Sequence, residues 1–297
     1  MPKDSTAAPA QSPVLVHGSV QFDLPSKISG RTYRIFVFQP ASPPPPSGYP
    51  VVVVTDANMM FPFAATLDAA FALQGGKAAL IVGIGYATEN YLEPFFLRTR
   101  DLTPETPLSA IQPIPGLPPP ALENYGGAEA FYRFLVEELR PTIADAYAVN
   151  LDDQTLYGHS LGGLFTLEVL FKHPESFRNF VASSPSIWWN KRAVLKGEKR
   201  FVAKVQAKAV SPRILIVVGA DEQNVPPTLP PNMTLAQTKK MLRDARMVHN
   251  GRDLAGRLAE AKGGPDYQVR FTAFEDEDHL TVVPATISRA LAFALRR

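Results

Sequence analysis

A serine between two glycines stands where a predicted strand turns into a predicted helix. The segment TLYGHSLGGLFTLEVLFK (155–172) runs from a strand-like start through Gly158, Ser160 and Gly162 into a helical pattern. A G-x-S-x-G turn of this kind exposes its serine as a nucleophile, because small flanking residues let strand and helix approach closely. The helix then aims backbone N–H groups at a developing oxyanion, and Leu161 supplies the first of them. The strand and helix on either side carry this prediction, and a glycine-rich turn with a capping serine is the alternative.

A serine nucleophile needs a general base, and histidine is the usual one. Of the five histidines, His279 in EDEDHLT follows the last predicted strand, where a loop emerges at the same sheet edge as the serine turn. It alone satisfies the chain order serine, acid, histidine. A surface histidine in an acidic loop is the alternative. We expect the side chain of His159, next to the serine, to point away from the active face. The remaining three lie elsewhere in the predicted structure. His17 is near the tail, His173 is at a helix end and His249 is in a polar helix.

The acid that orients the histidine should follow a strand between the serine and His279. The segment RILIVVGADEQN (213–224) offers Asp221 and Glu222 directly after a glycine. Such a carboxylate fixes the imidazole tautomer and stabilises the imidazolium. Chain order does not separate the two residues, and each can also be an ordinary loop charge.

A second oxyanion donor is expected in the loop after the third predicted strand. Here that loop lies in VVVVTDANMMF (51–61), and the backbone N–H groups of Ala57 and Asn58 are the candidates. The alternative is that DAN only caps the helix that follows.

Short apolar strands alternate with helical patterns along most of the chain. The predicted strands are 19–26, 32–40, 51–55, 77–86, 154–160, 179–186, 213–219 and 267–274, and the predicted helices are 63–76, 128–147, 161–172, 232–262 and 286–297. This alternation favours an α/β fold with a mostly parallel, twisted sheet and helices on both faces. Residues 1–18 are predicted to be a disordered tail, and 19–297 one domain with a proline-rich irregular loop at about 86–120.

The composition excludes several functional classes. The chain has no cysteine, which removes disulfides, thiolate catalysis and cysteine-based metal sites. Its formal net charge is +2 and it has no basic run, so we expect no nucleic-acid partner. No apolar run is long enough to span a bilayer, and no membrane partner is expected. The start MPKDSTAAPAQSP lacks the apolar core of a signal peptide. We therefore expect a cytoplasmic location, or a periplasmic one if an export signal has been removed.

Longer motifs around the candidate residues resemble one family. GHSLGGLF is followed by HPESF, by SPSIWW and, near the end, by EDEDHLTVVPATISRALAF. With VVVVTDAN and RTRDLTP, these motifs resemble the α/β-hydrolase esterases that open catecholate siderophore trilactones, such as the ferric enterobactin, salmochelin and bacillibactin esterases. The resemblance extends from about residue 20 to the C-terminus, and SPS-x-WW after GHSLGG is its sharpest signal. It implies the α/β-hydrolase fold and serine ester hydrolysis.

The resemblance also implies roles for single positions. Ser160 becomes the nucleophile and His279 the base, and GADE, which is similar to the family's G-x-x-E, favours Glu222 over Asp221 as the acid. DAN stands where DGN is commoner in the family, and Asn58 is the implied second oxyanion donor.

Candidate substrate contacts follow from the same resemblance. Arg98 in RTRDLTP matches an arginine near the substrate of such enzymes, with Arg100 beside it. Guanidinium groups suit anionic catecholates, and Trp188 and Trp189 can form a wall for the catechol rings. In the alternative, the tryptophans belong to the core and the arginines pair with nearby acids, Asp101 or Glu93.

The sequence therefore predicts a serine esterase that cleaves the trilactone ester bonds of a ferric or iron-free catecholate siderophore and so releases iron. The substrate brings the iron, and we expect no cofactor and no protein metal site, because the histidines are scattered and cysteine is absent. A general carboxylesterase or acyltransferase acting on feruloyl or acetyl esters is the second hypothesis, since fold and triad do not set the acyl group. A non-catalytic siderophore-binding protein is the third, and the presence of Ser160, His279 and Glu222 argues against it.

Overall fold

The computed structural model describes residues 12, 14–90, 92–111 and 122–295. Most of the predicted tail, residues 91 and 112–120 of the predicted proline-rich loop and residues 296–297 of the last predicted helix thus lie outside the described residues. The strands are β1 (Ser19–Pro25), β2 (Thr32–Phe38), β3 (Tyr49–Val54), β4 (Leu80–Tyr86), β5 (Val149–His159), β6 (Asn179–Ser183), β7 (Arg213–Gly219) and β8 (Gln268–Phe274). The α-helices are α1 (Ala57–Leu73), α2 (Glu93–Leu102), α3 (Ala128–Arg133), α4 (Arg140–Ala146), α5 (Leu161–Lys172), α6 (Trp189–Arg192), α7 (Glu198–Gln206), α8 (Leu235–Ala245), α9 (Met247–Ala259) and α10 (Val283–Leu295).

All eight strands form one sheet in the order β1-β2-β4-β3-β5-β6-β7-β8. The pairs β1–β2 and β2–β4 are antiparallel, whereas every pair from β4 through β8 is parallel. The predicted α/β fold with a mostly parallel sheet is therefore confirmed. Because parallel strands end at the same edge, the segments that follow β3, β5, β6, β7 and β8 meet there, and ligands bind at such edges in open α/β sheets.

Alternate residues of the central strands enter two buried layers, one on each face of the sheet. Val51 and Val53 pack in a layer with residues of α3, α5 and α9, whereas Val52 and Val54 pack with residues of α1 and α10. A strand covered on both faces has no solvent side, which explains the uninterrupted valine run. The sheet is thus held firmly on both faces beneath its functional edge.

Several helices differ from the sequence prediction. Helices α6 and α7 were not predicted, and Phe134–Leu139 is π-helical within the predicted helix 128–147. Helix α2 lies inside the segment predicted to be irregular. Its proline, Pro94, does not prevent the helix, because it occupies the first turn, where a missing N–H is tolerated. Helix α1 begins at Ala57, directly after β3, and not at residue 63. The predicted helix 232–262 is two helices, separated at Arg246, whose φ of 46° is left-handed.

Asp68 is a carboxylate buried in the middle of α1. Its side chain is fully buried, and both of its oxygens accept a hydrogen bond from the backbone N–H of Ala79, at 3.2 Å each. Burial raises the pKa of Asp68 to about 7, and the hydrogen bond from Ala79 offsets only part of that effect. Ionisation of this group therefore opposes folding.

We predict that Asp68→Asn stabilises the protein more at pH 8 than at pH 5. The pKa is higher in the folded than in the unfolded chain, so the native state binds more protons and stability falls as the pH rises from about 4 through 7. Asparagine removes this loss and keeps an oxygen for the Ala79 N–H, which gives a gain on the order of 1 to 3 kcal/mol at pH 8.

Thermal unfolding at the two pH values measures this gain. Asp145→Asn, at an exposed position of α4, is the matched control and should show no pH-dependent gain. A shift of the same size at pH 5 and pH 8 in Asp68→Asn would show that the carboxylate is not the cause.

Candidate active site

Ser160 lies at the apex of the turn between β5 and α5, in a backbone conformation that non-glycine residues rarely adopt. Its φ is 61° and its ψ is −115°. A Cβ at Gly158 would lie 2.2 Å from the carbonyl oxygen of Gly162, and a Cβ at Gly162 would lie 2.5 Å from Oγ1 of Thr55. Both flanking positions thus require glycine, and the turn raises the serine side chain at the functional edge of the sheet.

His279 and Glu222 continue from Ser160 in one line of hydrogen bonds. Nε2 of His279 is 3.0 Å from Oγ of Ser160, and Nδ1 is 2.8 Å from Oε2 of Glu222. Oε1 of Glu222 accepts from the backbone N–H of Gly219 at 2.7 Å and from the Ser184 hydroxyl at 2.5 Å. The carboxylate is fully buried, and the imidazole is 38% exposed. This geometry lets the imidazole take the serine proton while the carboxylate fixes its tautomer.

Only one of the two acid candidates reaches His279. Oδ1 of Asp221 accepts from Nδ2 of Asn224 at 2.7 Å, and the backbone N–H of Asp221 donates to the carbonyl of Glu277. The two acids lie in a short 3₁₀ turn, Ala220–Gln223, where neighbouring side chains point in different directions. The geometry therefore favours Glu222, the acid that the family resemblance implies, whereas chain order alone does not make this distinction.

The two predicted oxyanion donors lie in the first turns of helices. The first N–H groups of a helix lack partners within it, and Leu161 and Asn58 are the first residue of α5 and the second residue of α1. The Asn58 side chain is occupied elsewhere, because it donates to the carbonyl of Tyr86 and accepts from its N–H at 3.0 and 2.8 Å. The left-handed residue of this turn is Asp56, with φ 57°, so alanine fits at Ala57 in place of the glycine commoner in the resembling family.

Asp56 and Arg98 form a largely buried ion pair at the oxyanion turn. Nε and Nη2 of Arg98 donate to the two carboxylate oxygens at 2.6 and 2.8 Å, and Nη2 also donates to the carbonyl of His159 at 3.1 Å. Burial acts to lower the pKa of the guanidinium, but the charge of Asp56 outweighs it and the net pKa is raised. Arg98 thereby joins α2, the oxyanion turn and the end of β5.

The predicted substrate contacts fall in different places. Arg98 is only 13% exposed, within its ion pair. Arg100 is two residues further along α2, which directs it away from Arg98, and its stem packs against Gly127. Trp188 is half-buried, with its ring centroid 5.9 Å from that of Trp189, and Trp189 is a core residue, 1% exposed. Contact of Arg98, Arg100 or Trp188 with a substrate stays a prediction.

Sequence reasoning missed three serines at the end of β6 and in the loop after it. The Ser183 hydroxyl lies 2.9 Å from Nδ1 of His159, and the Ser184 hydroxyl lies 2.5 Å from Oε1 of Glu222. The Ser186 hydroxyl lies 3.5 Å from Oγ of Ser160. The signal that could have found them is the parallel pairing of two consecutive strands, which places His159 beside Ser183. The loops after β5 and β6 are therefore neighbours.

The prediction that His159 points away from the active face is wrong. Its ring centroid is 4.8 Å from that of His279, and the residue is only 4% exposed. Burial, reinforced by the nearby charges of His279 and Arg98, holds the pKa of His159 well below its ordinary value. A neutral imidazole therefore packs against the candidate base.

Comparisons with known proteins agree with this geometry. The family model "Putative esterase" matches residues 119–269. The chain is 39% identical over 279 residues to the ferri-bacillibactin esterase BesA of Bacillus subtilis, which covers 91% of this chain and 87% of that protein. It is 33% identical over 247 residues to the siderophore triacetylfusarinine C esterase of Aspergillus fumigatus, covering 82% and 80%. The crystal structure of the BES protein from Bacillus cereus matches with a TM-score of 0.80 at 30% identity, over 97% of this chain and 100% of that one.

We predict that Glu222→Gln lowers kcat for p-nitrophenyl acetate hydrolysis by about 10²- to 10⁴-fold, because a neutral amide cannot stabilise the imidazolium. Asp221→Asn is the matched control and should stay within about twofold of the wild type, since its carboxylate contacts Asn224 and not His279. Steady-state kinetics of the purified variants provide the measurement. Equal losses in both variants would remove Glu222 from the proposed role.

We also predict that Arg98→Lys lowers kcat by about 10- to 100-fold and leaves KM nearly unchanged. Lysine keeps the charge but cannot make two parallel bonds to Asp56 and also reach the His159 carbonyl, so the oxyanion turn shifts. Arg34→Lys is the matched control, because Arg34 also pairs bidentately with an aspartate, Asp23, but does so at the surface. A change in KM at constant kcat would instead identify Arg98 as a direct substrate contact.

Proposed function

Because the chain belongs to the siderophore-esterase family of α/β-hydrolases, we propose that it hydrolyses the ester bonds of a catecholate siderophore trilactone. The observation that carries this proposal is the line of hydrogen bonds from Ser160 through His279 to Glu222, in a chain 39% identical to a ferri-bacillibactin esterase. The ferric complex is the proposed substrate, so iron enters and leaves with it.

Acylation begins when Oγ of Ser160 attacks an ester carbonyl carbon and Nε2 of His279 takes the serine proton. The carbonyl oxygen becomes an oxyanion, for which the backbone N–H groups of Leu161 and Asn58 are the proposed donors. The tetrahedral intermediate collapses, the ester C–O bond breaks, and the leaving alkoxide takes the proton from His279. Because the ester lies in a ring, the alcohol and the acyl group remain parts of one opened molecule that is bound to Ser160.

Deacylation repeats this chemistry with water as the nucleophile. His279 takes a proton from water, the hydroxide adds to the acyl carbon, and Ser160 leaves with the proton returned by His279. The first product is therefore the linear trimer, formally the trilactone plus one water. Two further hydrolyses give dimer and monomer.

A short segment that follows the loop contacting Ser160 carries an aromatic and two cationic residues. Trp188 is half-buried at the start of α6, three residues after Pro185 in the loop that contacts Ser160. Lys191 and Arg192 follow it at exposed positions, both in left-handed backbone conformations with φ of 53° and 65°. Cations and an indole on one short segment match the charge and the rings of a ferric catecholate. This pattern favours such a substrate over a small neutral ester.

We predict that the wild-type protein converts ferric enterobactin and ferri-bacillibactin to linear trimer, dimer and monomer, whereas Ser160→Ala leaves both trilactones intact. Alanine removes the attacking oxygen and nothing else, and thermal unfolding checks that the variant is folded. Chromatography of the products at successive times shows how far hydrolysis runs.

Two further arms separate the competing substrates. Triacetylfusarinine C tests the substrate named for the Aspergillus fumigatus relative, and a chain-length series of p-nitrophenyl esters tests a general carboxylesterase. We expect the ferric trilactones to be cleaved with the highest kcat/KM. Intact trilactones in the wild-type reaction, with rapid cleavage in either other arm, would refute the catecholate assignment.

A further inference from the structure

Ser186 is held against the nucleophile by the backbone on both sides of it. The backbone N–H of Ser160 donates to the carbonyl of Ser183 at 2.9 Å, and the N–H of Ser186 donates to the carbonyl of Ser160 at 3.1 Å. These bonds fix the loop after β6 to the serine turn. They leave the Ser186 hydroxyl 3.5 Å from Oγ of Ser160.

The three serines at the end of β6 and in the loop after it differ in how well their hydroxyls are bonded. Ser183 and Ser184 make short contacts, at 2.9 Å to His159 and 2.5 Å to Glu222. The Ser186 hydroxyl is just as buried, since the residue is 2% exposed, but across the described parts of the chain its one hydrogen-bond partner is Oγ of Ser160. That contact lies at the outer limit of hydrogen-bond distance.

A buried hydroxyl with only a long contact destabilises the resting protein, and alanine would fit the same space without that cost. The loop is also held in a sparsely populated conformation, with a φ of 42° at Ser184. Catalytic hydrogen bonds are often long in the free enzyme and shorten only when charge develops in the transition state. The buried position of the Ser186 hydroxyl is therefore explained by a partner that becomes a strong hydrogen-bond acceptor during the reaction.

We propose that Ser186 is a further catalytic residue, whose hydroxyl donates a hydrogen bond to Oγ of Ser160 as that oxygen leaves the acyl group. This inference rests on the proposed serine-esterase function and adds a donor that acts on the leaving oxygen. It is separate from the backbone donors of Leu161 and Asn58, which face the carbonyl oxygen.

The step concerned is the collapse of the second tetrahedral intermediate. The bond between the acyl carbon and Oγ of Ser160 breaks, and its electron pair stays on Oγ. The His279 imidazolium returns its proton to this oxygen, and the carboxylic acid product departs. Between bond breaking and proton return Oγ carries negative charge, and the Ser186 O–H stabilises it.

The Ser186 hydroxyl stabilises the transition state of acylation less than that of deacylation. In the free enzyme Oγ of Ser160 is a hydroxyl oxygen with a long contact to the Ser186 hydroxyl at 3.5 Å, so part of this interaction is present before the attack. In the acyl-enzyme Oγ is an ester oxygen and a poor acceptor, so the bond strengthens mainly on the way to the deacylation transition state. Loss of the donor should therefore slow deacylation selectively.

We predict that Ser186→Ala slows deacylation by about 10- to 100-fold and leaves the labelling rate of Ser160 by a fluorophosphonate probe within about threefold. The acyl-enzyme then accumulates with p-nitrophenyl acetate, and intact-mass spectrometry detects a Ser160 adduct that the wild type does not retain. Ser186→Thr keeps the hydroxyl and should restore turnover. Ser176→Ala, which removes a hydroxyl bonded to Tyr132 away from the site, should match the wild type.

Other results overturn this proposal, the siderophore assignment or both. If Ser186→Ala turns over at the wild-type rate and retains no adduct, Ser186 has no catalytic role. If Ser186→Ala loses labelling and turnover equally, Ser186 only supports the fold of the turn. If the wild type reacts with p-nitrophenyl acetate but leaves siderophores intact, the siderophore assignment fails while the adduct lifetime still decides the role of Ser186. If no form is labelled or acylated, both proposals fail.

Discussion

The buried pair of Asp56 and Arg98 holds the oxyanion turn, helix α2 and the serine turn in one arrangement. A buried charge whose partner is removed destabilises a protein by about 3–5 kcal/mol, so neither side chain can move without the other. Asp56 also occupies a left-handed conformation, which costs on the order of 1–2 kcal/mol for a non-glycine residue, and the double hydrogen bond offsets that cost. A Cβ at Gly162 would lie 3.1 Å from the same carboxylate, so the pair also constrains the residue type at the serine turn.

The parallel part of the sheet explains how distant residues meet. The loops after β3, β5, β6 and β7 carry the oxyanion turn, the nucleophile, the supporting serines and the acid, and they share one edge. His279 follows β8, which lies three strands from β5, or roughly 14 Å across the sheet. Its loop must therefore fold back over the end of β7, and Gly219 permits this, because a Cβ there would lie 2.3 Å from the carbonyl oxygen of Glu277.

Local patterns predicted the sheet and the serine turn, because valine-rich strands and the two glycines carry their structural reason in the sequence. The sequence did not predict the environments of Arg98 and Arg100. Residues two positions apart share a face in an extended segment, but α2 directs Arg98 and Arg100 to different sides. Serine has no periodic signature, so the hydroxyls of Ser183–Ser186 emerge only when β5 and β6 are paired. The choice between adjacent acids likewise depends on the direction of a short turn, which chain order does not encode.

Two imidazoles lie together at the site, and the structure gives them different electrostatic environments. Glu222 accepts from Nδ1 of His279, so a cation on that ring is paired at once. The neighbouring ring of His159 has no carboxylate in contact, Ser183 contacts its Nδ1, and its Nε2 is buried without a hydrogen bond in the described part of the chain. Burial together with the charges of His279 and Arg98 keeps His159 neutral. A second cation would repel the imidazolium that forms when Ser160 gives up its proton. A neutral His159 therefore packs against His279 without opposing the protonation of His279 during the reaction.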